Sequence, residues 1–262
     1  MKRKGARLGQ HFLTGLWAAR ALARAVSVRE NETILEIGPG KGALTEELLE
    51  TGAQVIAIEK DPPLVETLQE KFGDQITSGR LHLVEADIRD IDVEKLGLKN
   101  EQYVVAANIP YYITGEIIRQ FLTAPIQPRA MALLVQKEVA ERILARDKKE
   151  SILSLSVKAY GNPRIEAKVA RGNFSPPPSV DSAILVIENI SRDFFKSIDE
   201  ETFFKVVRAG FSSKRKKLLG NLTKVFGEKV RAALVHSGIE EQMRAEDLQP
   251  LQWQKLTANL TH

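Results

Sequence analysis

Asn108, Ile109, Pro110 and Tyr111 bring an amide side chain, a proline-fixed backbone and an aromatic face into four consecutive residues. The Asn108 side-chain oxygen and the Pro110 carbonyl are hydrogen-bond acceptors, and Tyr111 offers a flat ring for stacking. Such a set suits a planar exocyclic amine as a nucleophile. The lone pair of an aryl amine is delocalised into its ring. Acceptors on its two N–H groups draw the nitrogen toward a tetrahedral shape and localise that pair. Methyl transfer to such a nitrogen needs positioning and electrostatics rather than a strong base. Pro110 fixes its own φ and biases Ile109 to an extended form, which pre-organises the loop. Plain turns also use Asn and Pro. Place favours chemistry: Tyr103 to Ala107 reads as a buried strand, so Asn108 stands at a strand's C-terminal end, where open α/β sheets carry ligands.

A second candidate region is Glu36-Ile37-Gly38-Pro39-Gly40-Lys41-Gly42, which follows an apolar run and opens a helical pattern. Glycines there let the backbone turn tightly and approach a ligand. Glu59 ends the next strand and can accept from ribose hydroxyls, and Asp87, just beyond the third, can take an adenine amine. Gly38, Gly40 and Ala43 also satisfy the dinucleotide pattern G-x-G-x-x-G/A, so this region alone leaves a nicotinamide enzyme open. Asn-Ile-Pro-Tyr at the fourth strand end has no obvious place in such an enzyme. A third element is Asn173-Phe174-Ser175-Pro176-Pro177-Pro178, a stiff loop whose Phe174 is either a second wall for a base or a core residue.

These residues need a scaffold of alternating elements. Strand patterns cover Thr33–Ile37, Gln54–Ile58, Leu81–Glu85, Tyr103–Ala107 and Ala130–Gln136. Between them Leu44, Leu48 and Leu49 share one helical face, and Pro62 or Pro63 opens a helix through Leu64, Leu68 and Phe72. Alternation predicts an α/β fold with a parallel sheet and right-handed crossovers. Pro163–Ala170 and Val180–Ile187 read as an antiparallel strand pair at its edge. Beyond about residue 190 the pattern is helical, with Phe203, Phe204, Val207 and Phe211, then Leu218, Leu219, Leu222 and Val225. The expected domains are therefore 1–188 and 189–262, the second small and all-α.

The chain has 262 residues, room for one or two domains, and a net charge of +4. Basic residues cluster at Lys2, Arg3, Lys4 and Arg7, and again at Arg208, Lys214, Arg215, Lys216 and Lys217. Clusters of that kind fit either a polyanionic partner or a solvated face. The absence of cysteine excludes disulfides, thiolate metal sites and cysteine nucleophiles, and fits a cytoplasmic protein. No apolar run approaches the length of a membrane span, and no signal-type core follows the basic N-terminus.

Taken together, these motifs resemble the ribosomal RNA adenine N6,N6-dimethyltransferases over nearly the whole chain. The resemblance rests on Leu8-Gly9-Gln10-His11-Phe12-Leu13, Glu36 to Gly40, Ile58-Glu59, Asp87 and Asn108 to Tyr111. It continues through Val135 to Ala140, Phe174 to Ser182 and Lys214 to Leu218. It implies a Rossmann-like methyltransferase domain with a mostly parallel seven-stranded sheet, and S-adenosylmethionine as methyl donor without a metal. It also implies catalytic-loop roles for Asn108, Pro110, Tyr111 and Phe174, and cofactor contacts from His11, Leu13, Gly38, Gly40, Glu59, Asp87 and Asn108. Lys214, Arg215, Lys216 and Lys217 would meet RNA. The implied substrate is a pair of adjacent adenosines in a hairpin near the 3′ end of small-subunit (16S) RNA within a pre-ribosomal particle, modified by a monomer. Departures are Tyr112 and His11, where many members have Asn, and Lys214, where several have Arg. Lysine keeps the charge and loses the planar fork.

Two rivals share most of these residues: a large-subunit (23S) RNA adenine methyltransferase of the macrolide-resistance type, and a non-catalytic assembly factor on the same fold. The Gln136 to Ala140 stretch and the triple proline favour the small-subunit reading, and every group the chemistry needs is present.

Overall fold

The computed structural model describes residues 11–213 and 215–261. The basic residues Lys2 to Arg7, the stretch Leu8 to Gln10, and Lys214 lie outside the described residues.

Nine strands are present among them: β1 (Phe12–Leu13), β2 (Thr33–Ile37), β3 (Gln54–Glu59), β4 (Leu81–Glu85), β5 (Tyr103–Asn108), β6 (Ala130–Gln136), β7 (Asn162–Val169), β8 (Phe174–Ser175) and β9 (Ser182–Glu188). Seven form one sheet in the order β4-β3-β2-β5-β6-β9-β7, while β1 and β8 pair separately. β2 through β6 run parallel, and β9 is antiparallel to both β6 and β7. The expected edge pair is thus present, with β9 inside the sheet and β7 at its rim. A register shift between Ile165 and Ala167 marks an irregularity in β7, a common way of ending or bending an edge strand.

Parallel strands buried on both faces read as continuous apolar runs. Tyr103 to Ala107 are all fully buried, as are Met131 to Val135. On one face the helices Leu16–Ala25 and Ala43–Leu49 press Ala18, Leu22, Leu44 and Leu48 onto Ile34, Val104 and Ala106. The helix Pro62–Lys71 starts at its prolines as expected, but its buried side is Val65 and Leu68, with Leu64 half-buried.

The strand order reverses around β2. β3 and β4 lie to one side of it, β5 and β6 to the other. Ile37 therefore sits beside Ala107 and Ile58, so the loops after three strands open side by side. This is the topological switch point, where α/β sheets bind ligands.

The chain divides into two compact units. One runs to Ala140 and resumes over Asn162–Ile190; the other holds Glu141–Gly161 and the chain from Ser191 onward. The sequence reading places 141–161 with the first domain. Tyr160 shows why it packs with the second: its ring lies 5.1 Å from Phe195 and 6.2 Å from Phe204. Ser151 caps the short helix Ile152–Lys158, and Glu150, nearly fully buried, pairs with Lys158 at 2.5 Å.

The helices Glu200–Gly210 and Leu218–Phe226 fall where expected, yet their buried faces are rotated. Phe203, Val206, Val207 and Gly210 point inward, Phe204 and Phe211 are half-buried, and Val225 is 52 % exposed. At the end of the first helix the partner is Trp253, fully buried in the helix Pro250–Thr261. A Cβ at Gly210 would stand 2.4 Å from the Trp253 ring and 2.9 Å from Leu218. Only glycine lets this helix end lie against the indole. Gly210→Ala is therefore expected to lower unfolding free energy by about 1–3 kcal/mol, the usual cost of overpacking, as measured by urea denaturation.

Candidate active site

A cleft of about 940 Å³, open to solvent, lies at the switch point. His11, Leu13, Gly38, Gly40, Glu59, Asp87, Asn108, Pro110 and Tyr111 all line it. Phe174 does not: it is 3 % exposed and belongs to the hydrophobic core, with its backbone paired to Leu13. It backs the cleft through that pairing. Arg215, Lys216 and Lys217 are exposed in the second unit, just before Leu218.

The β1–β8 pair, Phe12 opposite Ser175 and Leu13 opposite Phe174, closes the N-terminal segment onto the proline-rich loop. His11 Nδ1 lies 2.8 Å from the Pro176 carbonyl, which makes Nδ1 the protonated nitrogen, because a carbonyl only accepts. The His11 and Tyr111 rings lie 5.8 Å apart, tilted by 31°. Tyr111 is held at its other end by a 2.7 Å hydrogen bond between its hydroxyl and Ser182 on β9. Burial pushes the Tyr111 hydroxyl above its ordinary pKa, the Ser182 bond tempers this, and nearby Asp181 adds to it, so the phenol stays protonated.

Asn108 Nδ2 donates to the His11 carbonyl at 2.9 Å. That contact settles the amide orientation: the nitrogen must face the carbonyl, so Oδ1 faces away as a free acceptor. The Pro110 carbonyl accepts from Ile113 N–H at 3.1 Å and keeps its second lone pair.

Glu59 is 3 % exposed. Its Oε2 accepts from Gly40 N–H at 3.1 Å, and its Oε1 accepts from Lys60 N–H at 2.9 Å and Asp61 N–H at 3.1 Å. One lone pair on Oε2 remains. The carboxylate thus holds the glycine loop against β3 while still offering an acceptor. Gly40 has φ +59°, and a Cβ there would meet the Phe12 ring at 3.0 Å. Glycine lets the loop take that left-handed turn and lie against the Phe12 ring.

Asp87 receives Arg89 in two parallel bonds, Nε to Oδ1 at 3.0 Å and Nη2 to Oδ2 at 2.6 Å, and caps the short turn after it by accepting from Arg89 N–H. The Arg89 bonds, aided by Lys60 at 3.7 Å, hold the Asp87 carboxyl well below the usual range, so it is an anion. The sequence reading assigned no role to Arg89 or Ser182. Arg89, two residues beyond Asp87, was detectable only as a spacing.

Glu36 is fully buried, and neither of its oxygens has a protein hydrogen-bond partner. Ala57 and Ala106 flank it on the neighbouring strands and leave it room. Burial raises its pKa to about 8; Thr45 nearby lowers it somewhat, and the charge of Glu59 raises it. Among the described residues no group of three His, Asp or Glu side chains is placed to hold a metal, and no helix is long and apolar enough to cross a membrane.

The donors and acceptors in the cleft fit a nucleoside with a charged tail. Glu59 and Asp87 offer acceptors at adjacent strand ends, and the glycine loop lines the same cleft. The sheet order, the switch-point cleft and the glycine loop define a Rossmann-like methyltransferase. Matching the description "Ribosomal RNA adenine dimethylase" over residues 1–262, the chain belongs to that family. It is 40 % identical over 257 residues to a "Ribosomal RNA small subunit methyltransferase A" of Dehalococcoides mccartyi, covering 97 % of this chain and 87 % of that one. A protein of the same name from Moorella thermoacetica is 37 % identical, with 97 % and 91 % covered. Among solved structures, the 23S rRNA methyltransferase ErmE superposes with a TM-score of 0.77 at 26 % identity, over 96 % of this chain and 100 % of that one. A dimethyladenosine transferase from Plasmodium falciparum gives 0.76 at 23 % identity, over 94 % and 96 %, and shares the fold.

Glu36 generates a pH prediction. Below the ordinary carboxyl pKa of 4.5 both the folded and the unfolded chain hold the Glu36 proton. From there to about pH 8 only the folded chain keeps it, so rising pH favours unfolding. Relative to Glu36→Gln, the wild type is expected to lose on the order of a few kcal/mol across this window and nothing further above it. Urea denaturation at pH 5, 6.5 and 8 measures this, and parallel pH dependences in the two proteins would refute it.

Proposed function

We propose that the protein transfers methyl groups from S-adenosylmethionine to the N6 amines of two adjacent adenosines near the 3′ end of small-subunit (16S) ribosomal RNA, each twice. On this reading it works as a cytoplasmic monomer on a pre-ribosomal particle. The observation that carries the reading is the orientation of Asn108, whose Oδ1 is turned away from the His11 carbonyl and free to accept.

When bound, S-adenosylmethionine supplies an electrophilic methyl group. The chain's own residues do the rest. Gly38 and Gly40 let the backbone come close, and Leu13 lines the same wall. The spare lone pair of Glu59 suits a ribose hydroxyl, and the anionic Asp87 suits an adenine amine. Asn108 Oδ1 and the Pro110 carbonyl accept from the two N–H groups of the target amine and localise its lone pair. Tyr111, fixed by Ser182, presents a ring to the base. Phe174 supports this wall from behind through the Leu13 pairing. No protein base is needed, because an alkylated aryl ammonium loses its proton readily to water. Arg215, Lys216 and Lys217, together with Lys214, supply positive charge for phosphates on the C-terminal helical unit, which we read as the docking unit.

Unmethylated small ribosomal subunits incubated with the wild type and the methyl donor are expected to yield two dimethyladenosines by mass spectrometry of the RNA. Product on large-subunit RNA alone would instead establish the reading favoured by the ErmE likeness. Asn108→Ala is expected to lower turnover about 10²–10³-fold, the usual loss for one pre-organised polar group at a reacting centre, with RNA affinity nearly intact. Unchanged turnover would refute the acceptor role.

Charge pairing with phosphates has its own signature. In filter-binding titrations against salt, Arg215→Ala with Lys216→Ala is expected to reduce the slope of log K on log salt by roughly 0.7–0.9 for each phosphate left without its cation. An unchanged slope would leave these residues as a solvated face.

A further inference from the structure

We infer that the ring of Tyr112 is a stacking platform for the nucleotide next to the one held at Asn108, an inference that rests on the methyl-transfer reading above.

Tyr112 follows the catalytic loop directly, in the short turn Tyr111–Ile113. Its neighbours on the chain are accounted for. Ile109 and Ile113 are buried, and Tyr111 is tied to Ser182. Tyr112 is 64 % exposed. Among the described residues its ring meets no other aromatic ring and its hydroxyl has no hydrogen-bond partner. The fold makes little use of this large aromatic face, which stands one residue from a cleft that takes a base.

The surroundings decide what kind of group would cover it. Arg89 and Glu116 lie within electrostatic reach of one another, and Tyr112 is near Arg89 as well. The Arg89 guanidinium is already engaged in two bonds by Asp87. Glu116 is an exposed acidic side chain, a poor neighbour for a phosphate. This rim therefore disfavours nucleic-acid backbone and leaves a neutral π-face as its free feature. A base fits that face, because every base has a flat surface to stack on it. When one nucleotide is turned into a pocket, its neighbour on the strand loses a stacking partner. An aromatic ring at the pocket's lip replaces that partner. For a substrate with two adjacent target adenosines, the ring would hold the one that waits while the other is methylated.

Steady-state kinetics with unmethylated small ribosomal subunits test the inference, comparing the wild type with Tyr112→Phe, Tyr112→Trp, Tyr112→Leu and Tyr112→Ala. The Leu and Ala variants are expected to raise the KM for subunits about 5- to 150-fold, the range that stacking of one base supports. The Phe and Trp variants are expected to stay near the wild type, because the ring and not the hydroxyl acts. S-adenosylmethionine affinity by calorimetry is expected to be the same in all five. A merely structural role would be served by Leu and would disturb the cofactor site next door. A Leu variant equal to the wild type, or a loss of cofactor affinity parallel to the rise in KM, would overturn the platform alone. A wild type that methylates no small subunits would overturn the methyl-transfer reading and the platform with it.

Discussion

One hydrogen bond orders the chemistry of this cleft: Asn108 Nδ2 to the His11 carbonyl. An asparagine amide is ambiguous by itself, since its donor and acceptor ends are nearly the same shape. A backbone carbonyl removes the ambiguity, because it cannot donate. That carbonyl is itself held in place by the β1–β8 pair and by the His11 ring on Pro176. The acceptor that, on the proposed reading, faces the target amine is thus fixed by a chain of contacts from the N-terminal segment to the proline-rich loop. The stiffness of that loop, with three consecutive prolines, gives the chain of contacts a rigid end.

The other half of the site follows from strand register. Parallel pairing puts Ile37 level with Ile58 and Ala107, so the glycine loop, Glu59 and Asn108 emerge side by side. No side-chain interaction has to bring them together. Glu59 then adds local order by gathering three backbone N–H groups, one from the glycine loop and two from its own strand end. Charge is handled differently at each acid. Asp87 is kept anionic by Arg89, Glu59 is satisfied by backbone N–H groups, and Glu36, which has neither, is pushed by burial toward its neutral form. Three carboxyl groups near one sheet edge are tolerated because they do not share one environment.

Much of this was legible in the sequence. Thr33–Ile37, Leu81–Glu85 and Ala130–Gln136 read as strands to the residue, and in the central Ala130–Gln136 the reason is burial on both faces, which demands an almost wholly apolar run. Strand ends then located Glu59, Asp87 and Asn108. What escaped is long-range or phase-sensitive. β1 and β8 have two residues each and lie about 160 positions apart, so they leave no periodic trace. Their pairing decides that Phe174 belongs to the core rather than to the cleft's lining. In the helical unit, Val225 carries an apolar signal but is exposed, whereas Gly210 carries none and sits against Trp253. Helical spacing shows that a face exists, while packing against side chains distant in the chain, such as the Trp253 indole on Gly210, settles which residues it buries. Ring contacts with Phe195 and Phe204 draw Tyr160's segment into a unit that its place in the chain does not announce.

Two acceptors for two N–H groups raise the question of the monomethylated amine, which has only one. On the proposed reading the acceptors are not equivalent. The Pro110 carbonyl already accepts from Ile113 N–H, so it remains satisfied when the substrate withdraws a donor. Asn108 Oδ1 has no such partner, and leaving it empty in a desolvated site carries the full cost of an unpaired polar group. The single remaining N–H is therefore best placed on Asn108, with the first methyl turned toward the Pro110 side. Both transfers then depend on Asn108, whereas Pro110 contributes to the first alone. An enzyme that must methylate one nitrogen twice needs one acceptor that always engages and one that can be released without penalty, and the hydrogen bond from Ile113 gives Pro110 that second character.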